Sequence, residues 1–139
     1  MTRFLEAGET AVAGRPPLSD AAEYAYAAVS PPGTTFVHVA GACPLDPDGA
    51  TTPVGDVAGQ AAVAMANLEQ SLAAAGCGLH DVVKTTIYVA SSAQPDLVAA
   101  WTVVRDTFAP HRPPGTLLGV SVLGYDDQLV EIDAVAARG

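Results

Sequence analysis

Cysteine, aromatic residues and basic residues are all scarce in this chain of 139 residues. Its two cysteines, Cys43 and Cys77, form no CxxC pair and no set with metal-ligand spacing, so we expect reduced thiols and no metal site. Aromatic residues make up only 6% of a chain that is half hydrophobic. Alanine and valine must therefore fill most of the core, which allows helices and strands to pack closely.

The scarcity of positive charge excludes several classes of partner. Six Lys and Arg residues stand against 15 Asp and Glu residues, and the resulting net charge of -9 repels phosphate backbones and anionic lipid surfaces. No apolar run approaches the roughly 20 residues that cross a bilayer, and residues 1–14 hold no apolar signal-peptide region. We therefore expect a cytoplasmic protein that binds neither nucleic acid nor membrane.

Hydrophobic periodicity predicts a single domain over residues 1–139, in which about the first 20 residues are irregular. Tyr24–Val29 and Phe36–Ala40 are predicted strands separated by a Pro-Pro-Gly turn, which suggests a hairpin. A loop rich in proline and glycine follows. Asp56 is the predicted N-cap of the first helix, and Gly76 ends that helix as a left-handed cap.

The second half of the chain alternates strands with a helix. A predicted strand over Val82–Ala90 precedes a helix over Asp96–Phe108, and strands over Thr116–Val122 and Gln128–Ala136 follow. The order β-β-α-β-α-β-β indicates an α/β (α+β) domain. Right-handed crossovers would place both helices on one face of a mixed sheet. Apolar side chains on the opposite face predict that copies of the chain associate.

Five short motifs occur in unbroken order within about residues 22–137. Residues 41–47 read Gly-Ala-Cys-Pro-Leu-Asp-Pro, 55–57 Gly-Asp-Val, 74–76 Ala-Ala-Gly, 81–86 Asp-Val-Val-Lys-Thr-Thr and 130–136 Val-Glu-Ile-Asp-Ala-Val-Ala. In that order they resemble motifs of the RidA (YjgF-type) family of reactive enamine and imine deaminases. The first is similar to Gly-Gln-Ile-Pro-Leu-Asp-Pro and the last to Val-Glu-Ile-Glu-Ala-Ile-Ala. Each motif alone is weak, whereas their shared order identifies the chain as a member of that family.

The resemblance implies both an assembly and a chemistry. It implies a chorismate-mutase-like fold and a homotrimer, in which three sheets close into a central barrel and ligand pockets lie between subunits. Deaminases of the family hydrolyse enamines and imines to ketoacids and ammonia without a metal or an organic cofactor. The implied partner is a small-molecule ligand in each pocket.

The same resemblance assigns pocket roles to individual residues. Glu131 matches the glutamate that holds the attacking water, and Tyr24 matches the pocket tyrosine. Gly41 matches the glycine whose backbone borders the ligand. Trp101 stands at a helix position that often carries a pocket asparagine.

One family residue is missing. The motif Pro-Ala-Arg-Ser/Thr reads Pro-Pro-Gly-Thr at 113–116, so Gly115 replaces the arginine that clamps the substrate carboxylate through paired contacts. Thr116 and Leu117 complete the expected substrate-binding residues. Loss of the clamp, together with the aromatic Trp101, disfavours small 2-imino acids as substrates.

Several of these side chains also have simpler interpretations. Glu131 in an apolar strand could be a general acid or base, or a glutamate paired at a subunit interface. Asp133 lies on the same strand face and could assist it or face solvent. Arg112 could restore the missing positive charge and His111 could transfer protons, or both could be ordinary loop residues. Cys43 could line the pocket, although nothing in the sequence predicts an activated thiol.

Two functions from different classes remain open. The first is an enzyme that acts on a neutral or larger imine, enamine or related reactive intermediate, with Glu131 positioning water or transferring a proton. The second is a non-catalytic small-molecule-binding trimer. Endoribonuclease activity, proposed for relatives of the family, is the least compatible with a net charge of -9.

Overall fold

A four-stranded mixed sheet forms the centre of the structure, a computed structural model that describes residues 1–139. Two short 3-10 turns, at Ala7–Glu9 and Leu79–Asp81, accompany the main elements. In chain order these are β1 (Arg3–Leu5), β2 (Ala27–Val29), β3 (Thr35–Ala42), α1 (Val57–Ala74), β4 (Val82–Val89), α2 (Gln94–Phe108), β5 (Gly115–Gly119) and β6 (Val130–Arg138).

The sheet has the strand order β3-β6-β4-β5. Strand β6 is antiparallel to both of its neighbours, whereas β5 runs parallel to β4. Both helices pack on the same face of this sheet. The predicted fold class, two helices on one face of a mixed sheet, is therefore confirmed. Neither helix is long and apolar enough to span a membrane.

The N-terminal part of the chain differs from the prediction. Strand β2 does not form a hairpin with β3; it pairs antiparallel with β1, so Arg3–Leu5 is a strand rather than irregular chain. Strand β3 pairs instead with the C-terminal strand β6. Pro31 and Pro32 lie between β2 and β3 and have no backbone N–H to continue a ladder there. The hairpin prediction was wrong because strand partners far apart in sequence leave no local signal.

Helix α1 begins and ends where the sequence predicts. The Asp56 carboxylate accepts a hydrogen bond from the Gly59 backbone N–H at 2.9 Å, as an N-cap does. At the other end Gly76 has a φ of +80°, and the N–H of Cys77 donates to the Leu72 carbonyl at 2.8 Å. Both caps are local features, so composition and spacing were enough to find them.

The core between helices and sheet is built mainly from small aliphatic side chains, as predicted. Phe108 is the only aromatic residue among the 17 residues of the buried cluster. Alanines at the helix–sheet contact permit close approach, and the fully buried larger side chains include Met65, Leu68, Leu72, Ile87 and Ile132.

A buried glutamine links two loops to helix α1. Gln60 is fully buried, and its Nε2 donates to the carbonyls of Pro53 at 2.9 Å and Asp127 at 3.0 Å. Its Oε1 accepts from the N–H of Leu129 at 2.7 Å. The loop after β3 and the loop before β6 are therefore joined through one side chain.

Two turns further along α1, a second amide repeats this role. The Nδ2 of Asn67 donates to the carbonyls of Cys43 at 2.8 Å and Leu45 at 3.0 Å. Residues seven positions apart lie on the same side of a helix. On one side of α1, these two amides therefore hold the loop after β3 and the loop before β6, which flank the predicted catalytic residue.

Replacing Gln60 by Met should destabilise the fold strongly. The substitution keeps the side-chain length but leaves the three backbone partners of the amide unpaired, at an expected loss on the order of 3 kcal/mol in the free energy of unfolding. Urea denaturation measures this loss. Gln70→Met on the exposed side of the same helix is the matched control and should leave the unfolding midpoint nearly unchanged. Equal midpoints for the two variants would contradict the bridging role of Gln60.

Candidate active site

Glu131 lies on the face of the sheet that the helices do not cover. It is paired in register with Tyr88 on β4, and its neighbours Val130 and Ile132 point into the core. Its carboxylate oxygen Oε1 accepts hydrogen bonds from the Cys43 thiol at 3.3 Å and from Gln128 Nε2 at 3.2 Å. We call these residues, together with Gly41, the carboxylate cluster.

Gly41 is needed because the Glu131 side chain occupies the space beside its backbone. A Cβ built on Gly41 would lie 2.8 Å from Cδ and 3.0 Å from Cγ of Glu131, and closer still to Oε2. Gly41 belongs to the end of β3, where the pairing register with β6 shifts between Val39 and Ala42. The structure therefore brings two of the predicted site residues, Gly41 and Glu131, into direct contact.

The Cys43 thiol lies within hydrogen-bond distance of Glu131 and is held in its protonated form. Burial, followed by the hydrogen bond and negative charge of Glu131, raises the pKa of Cys43 to about 11. A thiol with this pKa stays protonated at neutral pH and reacts slowly with electrophiles. Cys43 thus lies beside Glu131 in the protonated form.

Asp133, two residues beyond Glu131 on the same strand face, contacts a different partner. The Tyr88 hydroxyl donates to Asp133 Oδ2 at 3.4 Å. The negative charge of Asp133, followed by burial, raises the pKa of Tyr88, so the hydroxyl remains protonated. Asp133 makes no hydrogen bond to Glu131, and the two carboxylates do not form a pair.

An aromatic cluster forms the second group of candidate residues. Tyr24 meets Trp101 edge-on at a centroid distance of 6.3 Å and Tyr26 at 5.8 Å. The N–H of Trp101 donates to Glu23 Oε1 at 3.1 Å, and Arg105 Nη1 donates to Glu23 Oε2 at 2.6 Å. These bonds from Trp101 and Arg105 hold the pKa of the Glu23 carboxyl below its ordinary value. The indole is therefore anchored at its polar edge.

Gly115 belongs to the aromatic cluster and not to the carboxylate cluster. It is paired in register with the buried Thr85, and a Cβ built on it would lie 3.5 Å from Thr85 Cγ2 and 3.8 Å from Trp101 Cζ3. That direction is the helix-covered side of the sheet. Within one subunit, the aromatic cluster and Glu131 therefore lie on opposite faces.

The two loop residues expected as possible pocket groups already have partners. His111 Nε2 lies 2.7 Å from the Val82 carbonyl, and its ring packs edge-on against Phe4 and Phe108. Arg112 donates to the Ala22 carbonyl at 2.6 Å and lies 3.7 Å from the Glu6 carboxylate.

Arg112 nevertheless shares a cleft of about 390 Å³ with Tyr24 and Tyr26. Its side chain lines one side of that cleft and is bound to Ala22 and Glu6. The Arg112 guanidinium is therefore bound to other parts of the chain, whereas a group that clamps a substrate must be free to bind it.

The last two predicted substrate-binding residues lie on different sides of β5. Thr116 is on the helix-free face, where its Oγ1 accepts a hydrogen bond from Lys84 Nζ at 2.6 Å. Leu117 packs against the core. No three His, Cys, Asp or Glu side chains converge where they could hold a metal ion.

Two residues of the site were not identified from the sequence. Gln128 was assigned only to the start of a strand, and Glu23 had no role. A glutamine before a strand and a surface glutamate are ordinary sequence features. Their importance depends on contacts with Glu131, Trp101 and Arg105 that only the tertiary structure reveals.

Gly41→Ala should destabilise the protein because the new methyl group collides with the Glu131 carboxyl group. The expected loss in the free energy of unfolding is about 1–3 kcal/mol, measured by urea denaturation. Removing the obstructing carboxyl group in the double variant Gly41→Ala/Glu131→Ala should recover most of it. Gly124→Ala is the control, since no atom lies within 4 Å of a Cβ at that position. A loss that persists in the double variant would refute the steric explanation.

Comparison with known proteins places these features in a family. The family described as Endoribonuclease L-PSP matches residues 16–138. A RutC family protein of Pyrococcus horikoshii is 33% identical over 103 residues, which cover 74% of this chain and 79% of that protein. The 2-iminobutanoate/2-iminopropanoate deaminase of Mus musculus is 31% identical over 103 residues, 74% of each chain.

Solved structures agree with this placement. A protein of unknown function of the Rid family from Yersinia pestis superposes with a TM-score of 0.77 at 26% identity, covering 84% of this chain and 87% of that one. The YjgF gene product of E. coli has a TM-score of 0.66 at 28% identity, covering 85% and 96%. Sequence motifs, fold and relatives coincide, and the chain belongs to the Endoribonuclease L-PSP (YjgF/RidA) family.

Proposed function

We propose that this protein hydrolyses a neutral or aromatic imine, or the enamine in equilibrium with it, with Glu131 as the group that holds and deprotonates water. The observation that carries this proposal is the Glu131 carboxylate itself. Two donors from separate loops satisfy its Oε1, whereas Oε2 accepts no hydrogen bond from the protein. A carboxylate with one fixed and one available oxygen suits a general base.

The proposed reaction needs only water and the carboxylate. Oε2 of Glu131 accepts a proton from water as the water oxygen bonds to the imine carbon, and it passes that proton to the imine nitrogen as the C=N double bond becomes a single bond, which gives a carbinolamine. Glu131 then accepts the carbinolamine hydroxyl proton and passes it to the same nitrogen as the C–O bond becomes a double bond and the C–N bond breaks, which releases ammonia and the carbonyl product. All atoms come from the imine and one water molecule, so the step requires no metal or organic cofactor.

A complete pocket requires a second subunit. The aromatic cluster and the carboxylate cluster lie on opposite faces of one sheet, so a single chain offers one side of a pocket on each face. Association of copies through the helix-free face would cover Glu131 with a surface of a neighbouring subunit. This arrangement is the trimer with intersubunit pockets that membership of the family implies.

The residues around Gly115 support a substrate without a carboxylate. The two nearby guanidinium groups already have partners, because Arg105 is bound to Glu23 and Asp106, and Arg112 is bound to Ala22 and Glu6. Trp101 and Tyr24 instead offer aromatic faces. An apolar or aromatic group gains from burial against such rings, whereas an unpaired carboxylate there loses its hydration.

A non-catalytic ligand-binding role is the second candidate, and the absence of an arginine at position 115 favours it. It predicts that the same neutral compounds bind without turnover. RNA cleavage has less support, since a net charge of -9 opposes binding of a polyanion.

Glu131→Gln should abolish turnover while the fold remains intact. Two probes suit the test: benzaldimine (neutral and aromatic, formed in situ from benzylamine by an amine oxidase) and 2-iminopropanoate, formed from alanine. We expect wild type to shorten the lifetime of benzaldimine and Glu131→Gln to lose about 100-fold or more in kcat/KM. Asp133→Asn, on the same strand face, is the matched control and should keep near-wild-type activity. Binding of the probe to wild type without any turnover would instead establish the ligand-binding role.

Gly115→Arg should shift the preference towards the carboxylate-bearing probe. The new side chain must pass the Trp101 ring, since even a Cβ at 115 approaches it to 3.8 Å. We therefore expect the double variant Gly115→Arg/Trp101→Asn to gain about tenfold or more in kcat/KM for 2-iminopropanoate relative to benzaldimine, as a new bidentate ion pair would provide. Gly115→Ala is the control for backbone effects. An unchanged ratio between the probes would refute the assignment of Gly115 to the pocket.

A further inference from the structure

Gln128 has an amide whose orientation the surrounding hydrogen bonds determine. The residue is buried, its Oε1 accepts from the Tyr125 N–H at 3.1 Å, and its Nε2 donates to the Val130 carbonyl at 3.0 Å and to Glu131 Oε1 at 3.2 Å. Rotating the amide by 180° would place its oxygen against two acceptors. The NH₂ group is therefore held towards the Glu131 carboxylate.

Cys43 approaches the same carboxylate oxygen from another element. Its Sγ lies 3.3 Å from Glu131 Oε1, and the thiol is protonated at neutral pH because its pKa is raised to about 11. A protonated thiol can donate one hydrogen bond, although a weak one. The same Sγ lies 3.5 Å from the Gly41 carbonyl, and the shorter contact to Oε1 makes the amide and the thiol two donors to one oxygen.

Helix α1 holds the backbone that carries each donor. Gln60 bonds to the Asp127 carbonyl and the Leu129 N–H, which bracket Gln128 on both sides. Asn67 bonds to the carbonyl of Cys43 itself. The backbone that carries each donor is therefore held to the helix.

We propose that Cys43 and Gln128 are positioning residues that together fix Oε1 of Glu131 and direct Oε2 towards the water. The inference rests on the proposed function of Glu131 and extends it to two residues that would not touch the substrate. Oε1 accepts both hydrogen bonds, so turning the carboxyl group about its terminal C–C bond would break them. Oε2 is therefore kept at the place beside Gly41 that a side chain would otherwise fill.

The first experiment examines the hydrogen bonds without any substrate. The infrared S–H stretch of Cys43, identified by difference against Cys43→Ala, should lie at lower frequency in wild type than in Glu131→Gln, because a donated hydrogen bond weakens the S–H bond. The side-chain amide ¹⁵N–¹H signals of Gln128 should also move in Glu131→Gln and stay in place in Asp133→Asn. Unchanged S–H and amide signals would overturn the inference.

The second experiment measures kcat and KM for benzaldimine. Cys43→Ala and Gln128→Leu should each lower kcat by about three- to 30-fold with little change in KM, as expected when a reacting group loses its alignment. Cys43→Ser restores a donor and should recover most of the rate. Gln128→Leu leaves the Tyr125 N–H and the Val130 carbonyl unpaired, so thermal unfolding by circular dichroism accompanies every variant, and Gln128→Met (which keeps the side-chain length and loses the donor) provides a second test.

The outcomes separate this inference from the proposed function. If wild type does not hydrolyse the imine, the proposed function fails, and the spectroscopic results alone decide whether the two donors hold Glu131. If wild type is active and Cys43→Ala and Gln128→Met, both folded, keep kcat within about twofold, the positioning role is overturned. Loss of kcat in Cys43→Ala with recovery in Cys43→Ser supports it.

Discussion

The buried amide of Gln60 is the contact on which the candidate site depends most. It satisfies three backbone groups from two loops that are more than 70 residues apart in sequence, Pro53 on one side and Asp127 and Leu129 on the other. Leaving such groups unpaired in the interior is costly, so the two loops are held in one relative position. The geometry around Glu131 follows from that position, because one loop leads from Gly41 and Cys43 and the other carries Gln128.

The residues proposed for recognition and those proposed for chemistry lie on opposite faces of the sheet. Side chains that could contact an apolar group, Tyr24 and Trp101, belong to the helix-covered side, while the carboxylate that could activate water faces the opposite side. Substitutions on one side can therefore alter ligand preference without disturbing the hydrogen bonds of Glu131. In the proposed trimer, each half would contribute to a different pocket, so a change in one subunit would act on a site completed by another.

Much of the fold could be predicted from the sequence, because its signals are local. Asp56 and Gly76 mark the ends of α1, and the motif around Glu131 places that residue on a strand. Pairing of β1 with β2 could not be predicted, since the partners are more than 20 residues apart and three residues long. The roles of Gln128 and Glu23 depend on side-chain contacts, and nothing in their residue type or spacing distinguishes them from ordinary polar positions.

The anchored indole of Trp101 has an optical consequence. It is the only tryptophan in the chain, and its ring lies between Tyr24 and the backbone at Gly115 while its N–H is held by Glu23. The emission of an indole depends on the polarity and quenching groups around it. Tryptophan fluorescence, excited at wavelengths that tyrosine does not absorb, therefore originates from this one location. A ligand that displaces water from the aromatic cluster would change this emission without any added label.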